Sequence, residues 1–174
     1  MIEDEHLTPE WQNIKLRSID YRGRIIDEVT HLERMLDVYI ASYFCESIDK
    51  AREFANIILG SSRISLDGKR KLFDTLIKLE HPDFFKINTD FNKDMNTVMY
   101  ERNSFAHNIL YSGDVAIEQH ETHVWLQKFN VKNREEWYDD EKVIGILNTI
   151  KKCRNIITKA AKPKWDALRP HDGE

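Results

Sequence analysis

Apolar side chains at positions 21, 25, 29, 32, 36, 39 and 43 stand three or four residues apart over about six helical turns, and no other feature narrows the fold so far. Tyr21, Ile25, Val29, Leu32, Leu36, Tyr39 and Tyr43 form one face of a long helix, widened by Ile26, Met35 and Ile40. The alternation that a half-buried strand requires is absent. Thr8, Pro9 and Glu10 supply its start: a capping hydroxyl, a proline in the first turn, and an acid against the positive helix end. A helix this long with one apolar face has to lay that face on other helices, so the expected class is all-α.

Four further helices are predicted. The second begins at Ser47 and stops at Gly60, with Phe54, Ile57 and Ile58 facing inward. The third begins near Ser65, buries Leu66, Leu72, Phe73, Leu76 and Leu79, and ends before His81 and Pro82. The fourth runs from near Thr89 to Gly113, with Met95, Val98, Met99, Phe105, Ala106 and Ile109 as its buried face. Residues 115–119 and 123–129 are rich in β-branched and aromatic side chains across a short polar turn, which predicts a β-hairpin at about 114–130. Asp139 or Asp140 then caps a fifth helix that carries Val143, Ile146, Leu147, Ile150, Ile157 and Ala160 and is closed by Pro163. The expected architecture is a single helical domain over residues 1–163, a bundle of about five helices with a small hairpin inserted before the last. Residues 164–174 are expected to form a loosely ordered tail.

A chain of 174 residues buries an adequate core without disulfides or metals. Cys45 and Cys153 fall in helical segments, where idle thiols in a reducing compartment are the expected state. Residues 1–10 carry four acids and no apolar run, unlike a signal peptide, and no later stretch reaches membrane-spanning length. A cytoplasmic protein without membrane contact is expected. No phosphate loop, dinucleotide fingerprint or paired-cysteine zinc spacing is present, so no cofactor or metal is expected. His120 and His123 lie in the hairpin region, where their spacing does not converge two imidazoles.

The formal net charge of −4 argues against coating nucleic acid by bulk attraction, but the charge is unevenly spread. Residues 142–169 hold eight Lys or Arg against one acid, whereas 114–141 hold eight acids against three bases. Lys151, Lys152, Arg154 and Lys159 therefore form a candidate phosphate-contacting surface. The alternative is a solvated face whose cations favour a helix C-terminus.

The one compact polar cluster is Tyr100-Glu101-Arg102-Asn103-Ser104-Phe105-Ala106-His107-Asn108. Asn103, His107 and Tyr111 are spaced by four and share one helix face. Arg102 lies about 140° around the helix from His107, so both border one cleft only if the helix forms its floor. One chain leaves such a site half built. A second copy packed antiparallel across a two-fold axis would bring two Arg and two His together.

This segment resembles the signature of the HEPN superfamily (higher eukaryotes and prokaryotes nucleotide-binding). Arg102 and His107 match its Arg-x4-His spacing, Asn103 takes the polar position after Arg, and Phe105-Ala106 is the usual apolar lead to the His. Residues 25–44 and 65–79 resemble the first and middle helices of such domains, so the resemblance spans roughly residues 18–112. It implies a metal-independent RNA endonuclease acting as a homodimer. His107 would take the proton of a ribose 2′-hydroxyl, since an imidazole exchanges protons near neutral pH. Arg102 would offset transition-state charge, and Asn103 would orient the imidazole or bind a phosphate oxygen. A 2′,3′-cyclic phosphate is the implied product. Toxin or antiviral defence roles, with an antitoxin or other regulatory partner, are common in the family. In the toxin subgroup paired with nucleotidyltransferase antitoxins a Tyr follows two residues after the His; here Ile109 stands there. The Arg-Asn-Ser-Phe-Ala-His string and the 65–79 helix are similar as well to the mannitol operon repressor group, which implies the alternative of a non-catalytic regulatory module.

Overall fold

The computed structural model describes residues 8–60, 64–128 and 135–168. Helix α1 spans Pro9–Phe44, and the hydroxyl of Thr8 accepts the Trp11 N–H at 3.4 Å to close its first turn. The stripe from Tyr21 to Tyr39 is buried as its spacing requires. Helix α2, Ile48–Phe54, is capped by Ser47 and widens into a π-turn, Ala55–Leu59. Helix α3, Leu66–Glu80, starts under the Ser65 hydroxyl, which accepts the Gly68 N–H at 3.2 Å. Then follow α4 (Phe84–Ile87), α5 (Phe91–His107), β1 (Ile109–Leu110), α6 (Asp114–Glu118), β2 (Val124–Gln127), β3 (Glu135–Tyr138) and α7 (Asp140–Ala167). The strands form one antiparallel sheet in the order β1-β2-β3, with Leu110 opposite Leu126 and Val124 opposite Tyr138. The chain is all-α with a small sheet before the last helix. Among the described residues no helix is long and apolar enough to cross a membrane.

Two compact units divide the chain. The first holds residues up to 28 together with 100–148, and its core includes Ile14, Tyr21, Phe105, Leu126, Tyr138 and Val143. The second holds 29–99 and the residues from 149 onward. Its centre is aromatic: Phe73 meets Tyr39, Phe84 and Phe91 with ring centroids 4.8, 5.7 and 5.6 Å apart, within the range of favourable edge and offset contacts.

Several local expectations are corrected. Residues 115–118 lie in α6, with Gln119 as its C-cap, and not in a strand: Ala116 packs inward, and Val115 and Ile117 stay exposed. The partner of β2 on that side is β1, because α5 ends at His107 and not at Gly113. Ile109 and Leu110, bulky and β-branched or branched, pass directly into the ladder. Phe129, at the end of the expected second strand, lies outside the described residues. Ile57 and Ile58 face outward, since the π-turn, closed by Gly60 N–H to the Ala55 carbonyl at 2.7 Å, turns Ala55 and Leu59 inward instead. Leu72 and Leu79 are exposed while Ile77 is buried, and Ala106 and Ile109 are exposed. Pro163 does not close the last helix. Its missing N–H removes one hydrogen bond within the final turns of α7, which continues to Ala167. Of the expected tail, 164–167 are thus helical, and 169–174 lie outside the described residues.

Candidate functional site

The orientation of the polar segment follows from what α5 buries. Glu101, Ser104 and Phe105 face inward in the first unit, so Asn103 and His107, four residues apart, project outward together. The Phe105 ring lies 4.5 Å from that of Tyr138 on β3. Beside it, the Tyr138 hydroxyl donates to Glu101 Oε2 at 2.9 Å in a buried contact. Burial pushes the Glu101 carboxyl above the usual carboxylate range, with the Tyr138 hydrogen bond acting in the opposite sense. Burial also pushes the Tyr138 hydroxyl up, helped by the Glu101 charge.

A measurable consequence attaches to this pair. Tyr138→Phe leaves a buried carboxyl without its donor and is expected to cost about 1–3 kcal/mol. Because the folded carboxyl binds its proton more tightly than the unfolded one, its contribution to stability falls as pH rises through the raised value. Removing the donor raises it further, so urea unfolding should show a larger loss at pH 8 than at pH 5.

Asn103 and His107 line an open pocket of about 320 Å³ with Tyr100, Ser104, Asn108 and Lys128. Among the described residues the His107 ring has no hydrogen-bonding or ionic partner. Arg102 does not line this pocket; its Nη1 donates to Asn103 Oδ1 at 3.0 Å, and no described carboxylate pairs with it. The side of the pocket formed by Lys128 is electrostatically organised. Lys128 donates to the Tyr100 hydroxyl and lies 4.4 Å from the Tyr100 ring centroid, and Tyr100 in turn donates to Glu136 Oε2 at 2.9 Å. Lys128 also approaches Glu136 at 3.3 Å. The Tyr100 contact and Glu136 hold the Lys128 ammonium above its ordinary value. Burial opposes the Glu136 charge, but Tyr100, Lys142 and Lys128 outweigh it and keep that carboxyl below the usual range.

His107 is the last residue of α5, and the turn after it is held from α1. Arg22 Nη1 donates to the Phe105 carbonyl at 2.8 Å and Nη2 to the Asn108 carbonyl at 2.7 Å. Arg22 and Lys128 are not marked by the sequence, since neither belongs to a motif and their partners are distant in the chain. Tyr111 is not on the His107 face, because the helix has ended; its N–H donates to the Trp125 carbonyl at 2.8 Å. A Cβ at Gly113 would sit 2.2 Å from the Tyr111 hydroxyl, so a larger residue there requires the Tyr111 ring to move.

The basic residues of α7 belong to the second unit. Lys151 and Lys159 are exposed and Arg154 is half-buried. Lys152 is engaged, 2.7 Å from Asp94 Oδ2 and 3.8 Å from Asp90 Oδ2, and the Asp94 contact holds its ammonium above the ordinary value. His120 and His123 make separate contacts, His120 with the Ile117 carbonyl and His123 with the Thr122 hydroxyl and the Trp137 ring. Comparison of the chain with protein-family models, curated proteins and solved structures finds no match to any of them.

Proposed function

We propose that the protein is a metal-independent RNA endonuclease of the HEPN kind, working as a homodimer in which two copies of residues 102–107 complete one site. The observation that carries this reading is an exposed imidazole without a partner among the described residues at an open polar pocket, one helical turn from Asn103, whose side chain holds a guanidinium that no described carboxylate neutralises. At this exposure both groups are solvated, and neither is committed to a described protein partner other than the Asn103 contact. Here both retain capacity for a ligand.

In the proposed reaction His107 takes the 2′-hydroxyl proton, and the 2′ oxygen attacks the adjacent phosphorus. The P–O5′ bond breaks as the O2′–P bond forms, and His107 of the second copy protonates the departing 5′ oxygen. Arg102 offsets the charge on the non-bridging oxygens, and Asn103 orients the guanidinium. Lys151 and Lys159 serve as salt-sensitive phosphate contacts; Arg154 joins them, while Lys152 contributes less because Asp94 and Asp90 already compensate it. Such an activity suits a toxin or antiviral effector held in check by a partner protein.

The test compares an RNA oligonucleotide with its all-2′-deoxy counterpart, each incubated with purified protein. Cleavage of the RNA alone is expected. Cleavage of both, or of neither, overturns the reading, and cleavage of neither would favour the repressor-like, non-catalytic alternative.

A further inference from the structure

We infer that Arg22 is the positioning residue of the site, a clamp on the corner where α5 gives way to β1; the inference rests on the proposed role of His107. That corner is one residue long. His107 ends the helix at Asn108, and Ile109 already pairs with Gln127 in the sheet. The carbonyls at a helix C-terminus have no following turn to accept from, so they need other donors. One guanidinium meets two of them, Phe105 two residues before His107 and Asn108 immediately after it, at 2.8 and 2.7 Å. Its planar fork presents a separate, preset nitrogen to each, whereas an ammonium carries all its donors on one rotating nitrogen.

The clamp is itself fixed. Ser18, one turn earlier on α1 and buried, accepts from Arg22 Nε at 3.3 Å. Burial pushes the Arg22 guanidinium below its ordinary value, and no described carboxylate pairs with it, so the two backbone carbonyls and the Ser18 hydroxyl are the acceptors that orient it. The backbone on both sides of His107 is thereby tied to α1. The imidazole is held by its backbone alone, because its ring has no described partner, and its direction depends on that tie. A base displaced by about 1 Å loses of the order of 10²-fold in rate, whereas substrate binding through other groups is less affected.

The test uses Arg22→Met, which keeps the aliphatic stem, and Arg22→Lys, which keeps the charge. Cleavage should fall in kcat by about 10- to 100-fold in Arg22→Met, with KM changed less than about 3-fold, and Arg22→Lys should recover only part of the loss. Amide hydrogen exchange at Asn108 and Ile109 should quicken at least tenfold in Arg22→Met, while exchange in the Leu32 to Tyr39 part of α1 stays unchanged. The exchange experiment is independent of catalysis. If wild-type protein cleaves no RNA, the functional reading fails while exchange still decides the clamp. Unchanged exchange at Asn108 and Ile109, or a rise in KM with kcat preserved, overturns it. Equal acceleration of exchange throughout the chain would also overturn it, as a general stability effect.

Discussion

His107→Ala is expected to lower metal-independent RNA cleavage by about 10²- to 10⁴-fold, the usual contribution of a positioned general acid or base. Arg102→Ala should lower it by about 10²- to 10³-fold, the loss associated with removing a transition-state charge partner. Asn103→Ala should cost less, because Asn103 orients the guanidinium through a single 3.0 Å contact. The fold should be indifferent to the first two changes. His107 is exposed at the end of α5, Arg102 is half-exposed, and neither belongs to the buried set of Met95, Val98 and Phe105. Surface substitutions of this kind stay within about 0.5 kcal/mol. A gel assay with melting curves on the same preparations checks both halves. Cleavage at the wild-type rate by His107→Ala, or a collapse of melting temperature in both variants, would show that these residues are structural.

The largest expected effect on stability lies in the second unit. Lys69 on α3 and Asp37 on α1 are each 3% exposed, with Nζ 2.8 Å from Asp37 Oδ1 and 2.6 Å from Glu33 Oε1. Lys69→Met removes the cation and leaves the Asp37 charge buried beside Arg34, which is exposed and 3.9 Å away. Breaking a buried pair from one side costs about 3–5 kcal/mol. Burial already pushes the Asp37 carboxyl above the usual carboxylate range, so the folded chain binds that proton more readily than the unfolded chain. Its contribution to stability is therefore fully present below the ordinary carboxylate value and is lost as pH rises through the raised one. Without Lys69 the rise is greater, and the deficit should be larger at pH 8 than at pH 5. Adding Asp37→Leu to Lys69→Met should recover most of the loss, because a well-packed apolar pair avoids the desolvation cost. Chemical unfolding of the two variants at both pH values measures this, and a single-variant loss under about 1 kcal/mol would contradict it.

The legible part of the fold was its helical periodicity. Tyr21 to Tyr39, the Ser47 and Ser65 caps and the inward set of α7 depend on local spacing and end chemistry, and they fold as their residues specify. What was not legible depends on tertiary choice. Residues 115–118 carry β-branched side chains yet lie in α6, while β1 occupies the edge of β2 that they were expected to fill. Residues 57 and 58 turned outward because a π-turn shifted the face by part of a turn, which no spacing rule anticipates. In the site, the Asn103 and His107 pairing followed from a four-residue interval, and their outward direction follows from the buried Glu101 and Phe105. Arg22 was not legible, because its two acceptors are backbone carbonyls more than eighty residues away.

The most direct measurement of the central claim is the chemistry of the ends made by wild-type protein on a defined RNA in excess EDTA. Attack by the 2′ oxygen with His107 as base leaves a 2′,3′-cyclic phosphate on one fragment and a 5′-hydroxyl on the other, and these are the predicted termini. Termini carrying 3′-hydroxyl and 5′-phosphate, or cleavage that stops in EDTA, would contradict it.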